Sequence, residues 1–366
     1  MNRIVLYLLI AIGFLPSALA QTARRVTTFD NELRENSGMA YYGGGAIYLV
    51  NDGGNGPKLF RFDTAQMGYT TFDILNASNT DWEDLTTDRL NNLYIGDFGN
   101  NDNERKNLRI YKSPDPESIF SNQIAVETIA FTYENQTNFP PADSELNFDC
   151  EAMVWHQDSL YIFTKNRTDP YDGWSYMYVL PDNPGSYVAK LRDSIQFTAS
   201  DKRLGWITAA DLRGDSLLLL SSSKVHLGVG FGSKSLSEMT WQSYDVGFSQ
   251  KEAVSFGAKS TDIFISDELN VIGNSLYYLN IAETASLEIL KAKKFDVYQT
   301  SSSLRVTLKK RRPAHIYVFA MAGTEMYSMP FDEELAISGD DLPPGTYIIQ
   351  LIVDGESYDF KWAKTE

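Results

Sequence analysis

Short runs in which apolar and polar residues alternate recur along most of this 366-residue chain. They read AIYLV, KLFRF, NLYIG, LRIYK, SLYIF, YMYVL, SLLLL, DIFIS and SLYYL, and turn formers separate them. A period of two puts alternate side chains on opposite faces of a strand. After the first twenty residues no long stretch keeps the 3.6-residue period of an amphipathic helix. Short, evenly spaced strands predict an all-β fold, which leaves a sandwich, a barrel or a propeller.

An internal repeat separates these three. One unit reads SGMAYYGGGAIYLVNDGGNGPKLFRFD, the next WEDLTTDRLNNLYIGDFGNNDNERKNLRIYKSP, and a third CEAMVWHQDSLYIFTKNRTDPYDGWSYMYVLP. A weaker fourth reads TAADLRGDSLLLLSSSKVHLG, and a fifth EAVSFGAKSTDIFISDELNVIGNSLYYLN. Each opens on small or acidic residues, then runs strand, turn, strand, turn, strand. A further strand-like run lies between units: YTTFDIL, ETIAFTY, LRDSIQF and WQSYDVGF. Four strands per unit is a propeller blade. The first strands start near Gly38, Asp84, Ala152, Ala210 and Ala253. This spacing predicts a β-propeller over residues 21–298 with five blades, or six if one is degenerate. RRVTTFD at one end and LEILKAKKFDV at the other are spare strands, either of which can close the ring.

The repeat stops near Tyr298. Beyond the polar linker QTSSS, the tail alternates again, with turns at Ala322-Gly323 and Pro343-Pro344-Gly345. Residues 299–366 are predicted to form a separate small β-sandwich. At the other end, MNRIVLYLLIAIGFLPSALAQ has one basic residue, a short apolar run and a small-x-small site at Ala18 and Ala20. That is the pattern of a signal peptide, residues 1–20, and the apolar run is too short to span a bilayer.

Composition narrows the partners. The formal charge is -16 and the isoelectric point near 4.7. This disfavours nucleic acid and anionic membranes and favours cations. Cys150 is the only cysteine, so the fold rests on core burial without an intrachain disulfide.

Successive strands of a blade run antiparallel. The turn entering strand one and the turn joining strands two and three therefore share a face, at one mouth of the central channel. The entering turns carry Glu35, Asp81, Glu83, Asp84, Asp149, Glu151, Asp211 and Glu252. The second turns carry Asn51, Asp52, Asp97, Asn100, Lys165, Asn166, Ser221, Ser222, Asp267 and Glu268. Oxygen-rich, histidine-poor sets suit calcium or magnesium rather than zinc. The expected metal ligands are Glu83, Asp97, Glu151 and Glu252, and the expected cofactor is Ca2+. The competing reading is that Asp and Asn sit in these turns because they bond nearby backbone groups. Among three histidines, only His226, beside Ser221, Ser222 and Ser223, falls near this mouth, and a polar turn followed by a strand accounts for it. The loops NDNERKN and NRTDPYDGW are expected to frame any ligand.

Two resemblances follow from these motifs. The tail, through IYVFAMAG, DLPPGTYIIQL with Leu342, Gly345 and Tyr347, and a late strand reaching Lys361, resembles the C-terminal sorting domain of the type IX secretion system of Bacteroidetes. It departs from that family in lacking the Asn-Pro before LRVTL. The resemblance implies a partner, the type IX machinery, and a secreted or outer-membrane-surface location. The units ENSG…VNDGG, DWED…YIGDFGNN, DCEAM…YIFTKN and KEAVSF…ISDE resemble a family of secreted bacterial β-propeller proteins. More distantly, acidic residues opening inner strands look like those of calcium-dependent lactonase and phytase-like propellers. Two functions are therefore expected to compete. One is a module that binds a glycan, a peptide or a partner protein. The alternative is a calcium-dependent hydrolase, lactonase- or phytase-like, with its site at the acidic mouth.

Overall fold

The computed structural model describes residues 23–197, 202–269, 273–281, 294–299, 303–321, 323–338 and 342–364. The expected signal peptide lies outside the described residues. The propeller has five blades. Their inner strands are Asn36–Gly43, Trp82–Thr87, Asp149–His156, Ile207–Arg213 and Lys251–Phe256. Each inner strand packs on the next and the fifth packs on the first, so the ring closes. From each, the chain meanders outward through antiparallel neighbours to a fourth strand. The last blade takes its fourth strand from the opposite end of the chain. Arg24–Thr28 pairs antiparallel with Ser275–Asn280 and so closes the ring. The other spare run, LEILKAKKFDV, lies largely outside the described residues.

Between each consecutive pair of blades lies one buried apolar cluster. Tyr48, Ile95 and Tyr111 belong to the first, Tyr94, Met153 and Tyr178 to the second, and Phe163, Ala210 and Leu219 to the third. Leu218, Val254 and Ile265 follow in the fourth, and Met39, Leu49 and Ala253 in the fifth. This is where the alternating aromatics and β-branched residues go: each blade face packs on its neighbour. Towards the axis the blades crowd, which selects small residues. A Cβ on Gly38 would stand 2.9 Å from the backbone of Asp84.

The inner strands are sheet edges facing the axis, so their outward amides have no ladder partner. Side chains of neighbouring blades supply one. Asp84 Oδ2 accepts the Met153 amide at 2.8 Å and the Ala210 amide at 3.2 Å, tying three blades together. Asp211 Oδ2 accepts the Phe256 amide at 2.7 Å, and Ser255 Oγ accepts the Tyr41 amide at 3.1 Å. Thr86 Oγ1 accepts the Trp155 amide at 3.2 Å. Two outer edges are joined as well. Glu127–Tyr133 pairs parallel with Gly185–Gln196, and Gly68–Leu75 with Gln123–Ala125, pairings that alternation alone does not signal.

His226 is buried in the third strand of blade four. Its Nδ1 lies 2.8 Å from Ser243 Oγ and its Nε2 3.5 Å from Ser221 Oγ. Burial pushes its pKa down to about 3. Unfolded histidine takes a proton below about 6.5, and the folded ring does not until far lower. The stability it contributes is therefore full above the unfolded pKa and is lost as pH falls towards 3, at about 1.4 kcal/mol per pH unit. Urea melts across this range are expected to show the parent losing stability faster on acidification than His226→Gln. Equal slopes would contradict this assignment.

The tail is a β-sandwich. One sheet holds Phe295–Gln299, Leu304–Leu308 and Glu334–Ile337. The other holds Ala314–Ala320, Glu325–Phe331, Gly345–Val353 and Glu356–Lys364. Val306, Ile316, Val318, Ile349, Leu351 and Trp362 fill the space between them. The first strand straddles the expected boundary at residue 298, because Phe295–Gln299 pairs along its length with Leu304–Leu308.

Candidate functional site at the channel mouth

Every inner strand carries a β-bulge at the same level. Register slips between Asn36 and Gly38, Trp82 and Asp84, Cys150 and Ala152, Ile207 and Ala209, and Lys251 and Ala253. The bulged residues are Ser37, Glu83, Glu151, Thr208 and Glu252. A bulge leaves one residue out of the ladder and re-aims its side chain. Here all five line one cavity of about 420 Å³ at the mouth. Two of the five are stitches: Ser37 Oγ donates to the Trp82 carbonyl at 2.7 Å, and Thr208 Oγ1 to the Lys251 carbonyl at 2.6 Å. The three glutamates are not used this way.

Glu151 is ion-paired. Lys165 Nζ lies 2.9 Å from its Oε1, and Arg167 Nη2 3.6 Å away. Arg167 also reaches Asp149, Nε to Oδ2 at 2.6 Å. Both cations stack on Trp206, at 5.4 and 4.7 Å from the ring centre. The indole Nε1 of Trp206 is buried without a hydrogen-bond partner, as is Oε2 of Glu252. Glu83 is 6 % exposed and has no hydrogen-bond or ion-pair partner among the described residues.

On the acidic side, one carboxylate oxygen from each of Asp52, Asp81 and Glu83 lies within 4.8 Å of the others. Burial raises the pKa of Asp81 to about 7, with the nearby charges of Asp52 and Asp149 adding to it. Burial and then Glu252 push Glu268 up to about 8. Glu83 and Glu151 are driven well above the usual carboxylate range, first by burial. For Lys165, burial alone would favour the neutral amine, but Glu151 and Glu252 outweigh it and raise its pKa. The mouth thus combines a fixed cationic wall with carboxylates that gain from any positive charge brought to them.

Of the four expected metal ligands, Glu83, Glu151 and Glu252 line this cavity. Asp97 does not. It is fully buried, accepts the Asp81 amide at 3.1 Å and pairs with Arg105 at 2.9 Å and Arg109 at 3.7 Å. Its place at the end of a second strand turns it away from the axis. Asp84 and Asp211, expected at the mouth, instead bind the inner-strand amides described above. Asp267 pairs with buried Lys251 at 3.9 Å and accepts from Ser249 and Tyr277. His226 does not line the mouth, and Ser222 Oγ is committed to the Arg203 carbonyl at 2.7 Å. Cys150 is wholly buried, and burial raises its thiol pKa, which fits a packing role.

The two expected framing loops do meet the site. NDNERKN supplies Asn101, which bonds Arg167 from the other loop, and both line the cavity. The sandwich domain borders it too: Gly323 lines the cavity, and Arg203 donates to the Met321 carbonyl at 3.3 Å. In the sequence, Asp52, Asp81 and Arg167 do not stand out from the other turn residues. A usable signal was present in NDGG and DFGN, whose glycines lie beside these carboxylates.

No protein-family model matches the chain, and no curated protein is similar to it in sequence. Among solved structures, the aldose sugar dehydrogenase of Streptomyces coelicolor with PQQ bound is similar at TM-score 0.45 and 10% identity, over 71% of this chain and 97% of that one. The major allergen Mala s 1 of Malassezia sympodialis is similar at TM-score 0.44 and 10% identity, over 69% and 93%. A protein assigned as a gluconolactonase is similar at TM-score 0.40 and 8% identity, over 71% and 92%. Likeness this distant transfers neither ligand nor activity, so the chemistry of the mouth has to be argued from this chain's own residues.

Proposed function

We propose that this chain is an exported β-propeller that binds a small polar ligand in the cavity at its channel mouth, a glycan or the end of a peptide. Export would run through the type IX machinery, which reads the C-terminal sandwich and leaves the propeller secreted or at the outer-membrane surface. The observation that carries the binding reading is the ring of five bulged residues converging on one cavity. Three of them are glutamates that stitch no neighbouring blade. A volume near 420 Å³ suits a ligand rather than a protein surface. Carboxylates in excess of cations call for a ligand rich in donors, such as sugar hydroxyls or a peptide amine. The alternative, calcium-assisted hydrolysis of a lactone or phosphoester, is favoured by the three carboxylates gathered on the acidic side.

The test is a glycan array and a peptide library probed with the parent, Glu151→Gln and Glu252→Gln. A hit that weakens by about tenfold or more in either variant supports the mouth as the site. Hits that both variants bind as well as the parent would move the site elsewhere.

A further inference from the structure

We infer that Asp52, Asp81 and Glu83 form a calcium site at the acidic side of the mouth. This rests on reading the mouth as the ligand site and names one occupant of it. Three features carry it. The first is distance: the three oxygens lie within 4.8 Å of one another. Oxygens bound to one calcium at 2.3–2.6 Å are at most about 5 Å apart, so a single ion can touch all three.

The second is Glu83 itself. It is buried, lines the cavity and has no hydrogen-bond or ion-pair partner among the described residues. A buried carboxyl group that faces a cavity and has no partner in the surrounding protein calls for a partner that enters the cavity.

The third is the pair of glycines that flank the cluster. A Cβ on Gly99 would collide with Glu83 Oε1 and Asp81 Oδ2, and one on Gly53 with Asp81 Oδ1 and the Thr80 carbonyl. Neither glycine has the left-handed backbone that excludes other residues, as Gly54 beside them does. Space for the carboxylates is what these two positions require. The donors are hard oxygens, with no histidine or thiol among them, which selects calcium over zinc. The Thr80 carbonyl borders the same space, and water can complete the shell.

The site differs from the one expected from sequence. Asp97 is replaced by its neighbour across the strand pair, Asp81, and Glu151 is committed to Lys165 rather than to the ion. Glu252 has its own unpartnered oxygen but does not belong to the triad.

The full-length protein, stripped with EDTA, is titrated with CaCl2 and separately with MgCl2 by calorimetry, and melted with and without each. One calcium per chain is expected, with a rise in melting temperature. Affinity should fall by about tenfold or more in Glu83→Gln, Asp81→Asn and Gly99→Ala. Asp158→Asn, at an exposed turn that does not line the cavity, should keep it. Circular dichroism of each variant reports folding separately. No heat and no shift in the parent overturns the inference, whatever the variants do. So does a parent affinity that Glu83→Gln and Asp81→Asn both retain. A parent that ignores calcium yet loses a glycan or peptide hit in Glu151→Gln also overturns the cation site, while leaving the mouth as the ligand site.

Discussion

Replacing Asp84 with alanine is expected to destabilise the protein by about 3–5 kcal/mol, since each buried amide left without an acceptor costs about 1–3 kcal/mol. Three amides lose their partner: Leu85 in its own blade at 2.8 Å, Met153 in the next and Ala210 in the one after. Asp84 is wholly buried, and burial pushes its pKa well up while those three amides pull it down. The amides sit on the channel-facing edges of inner strands, which have no ladder partner there, and all three residues are buried. Asp84→Asn keeps one oxygen that can accept from Met153 and Ala210 and gives up mainly the Leu85 bond. It should therefore cost clearly less than alanine. Denaturant melts of the two variants check this. A shared small loss would mean that the ring does not depend on this side chain.

The second large effect concerns the cationic wall. Lys165→Met removes the positive charge 2.9 Å from Glu151 and next to Glu252. Breaking one partner of a buried pair costs about 3–5 kcal/mol, because the other charge stays buried and uncompensated. The double variant Lys165→Met, Glu151→Gln removes both charges and should recover most of the loss. The pH dependence has a definite sign. The folded pKa of Glu151 lies above its unfolded value. Such a group contributes stability that is full below the unfolded pKa and is lost as pH rises through the folded one. Without Lys165 that folded pKa climbs further. The single variant should therefore approach the parent's stability towards pH 4 and fall away from it towards neutrality. Urea melts over that range read the difference directly. A constant gap between the two curves would show that Lys165 acts through packing on Trp206 rather than through charge.

These two residues mark different reasons for a carboxylate-rich axis. Asp84 and Asp211 serve the backbone of an unpaired strand edge. Glu83 has no hydrogen-bond or ion-pair partner among the described residues, and Glu252 keeps one oxygen unpartnered. DWED, from Asp81 to Asp84, holds both kinds within four consecutive residues. The bulge at Glu83 separates them: it turns Glu83 into the cavity and leaves Asp84 between the blades.

The blades were legible because strand, turn and strand are local events with a period of two and recognisable turn formers. Of the five inner-strand starts, Gly38, Asp84, Ala152 and Ala253 each fall directly after a bulge, and Ala210 falls one residue further on. RRVTT was recognisable as a spare strand for the same reason, although its pairing partner was not. The shared face of the entering and second turns also follows from antiparallel order alone, and it placed Glu83, Glu151 and Glu252 at one mouth.

Which carboxylates stay free at that mouth depends instead on how the blades pack. A side chain's direction depends on one-residue shifts in register, and a bulge is such a shift, invisible to alternation. Asp97 reads from sequence like the other acidic turn residues, yet Arg105, Arg109 and Tyr111 consume it. Asp52 and Asp81 read as ordinary turn formers, yet they meet Glu83 across two blades. The repeating strands, the acidic turns and the separate tail follow from local patterns along the chain. The packing of five blades around an axis decided which acids are stitched into the ring and which face the cavity. Charge is written along the chain, but the partner that neutralises it lies in another blade.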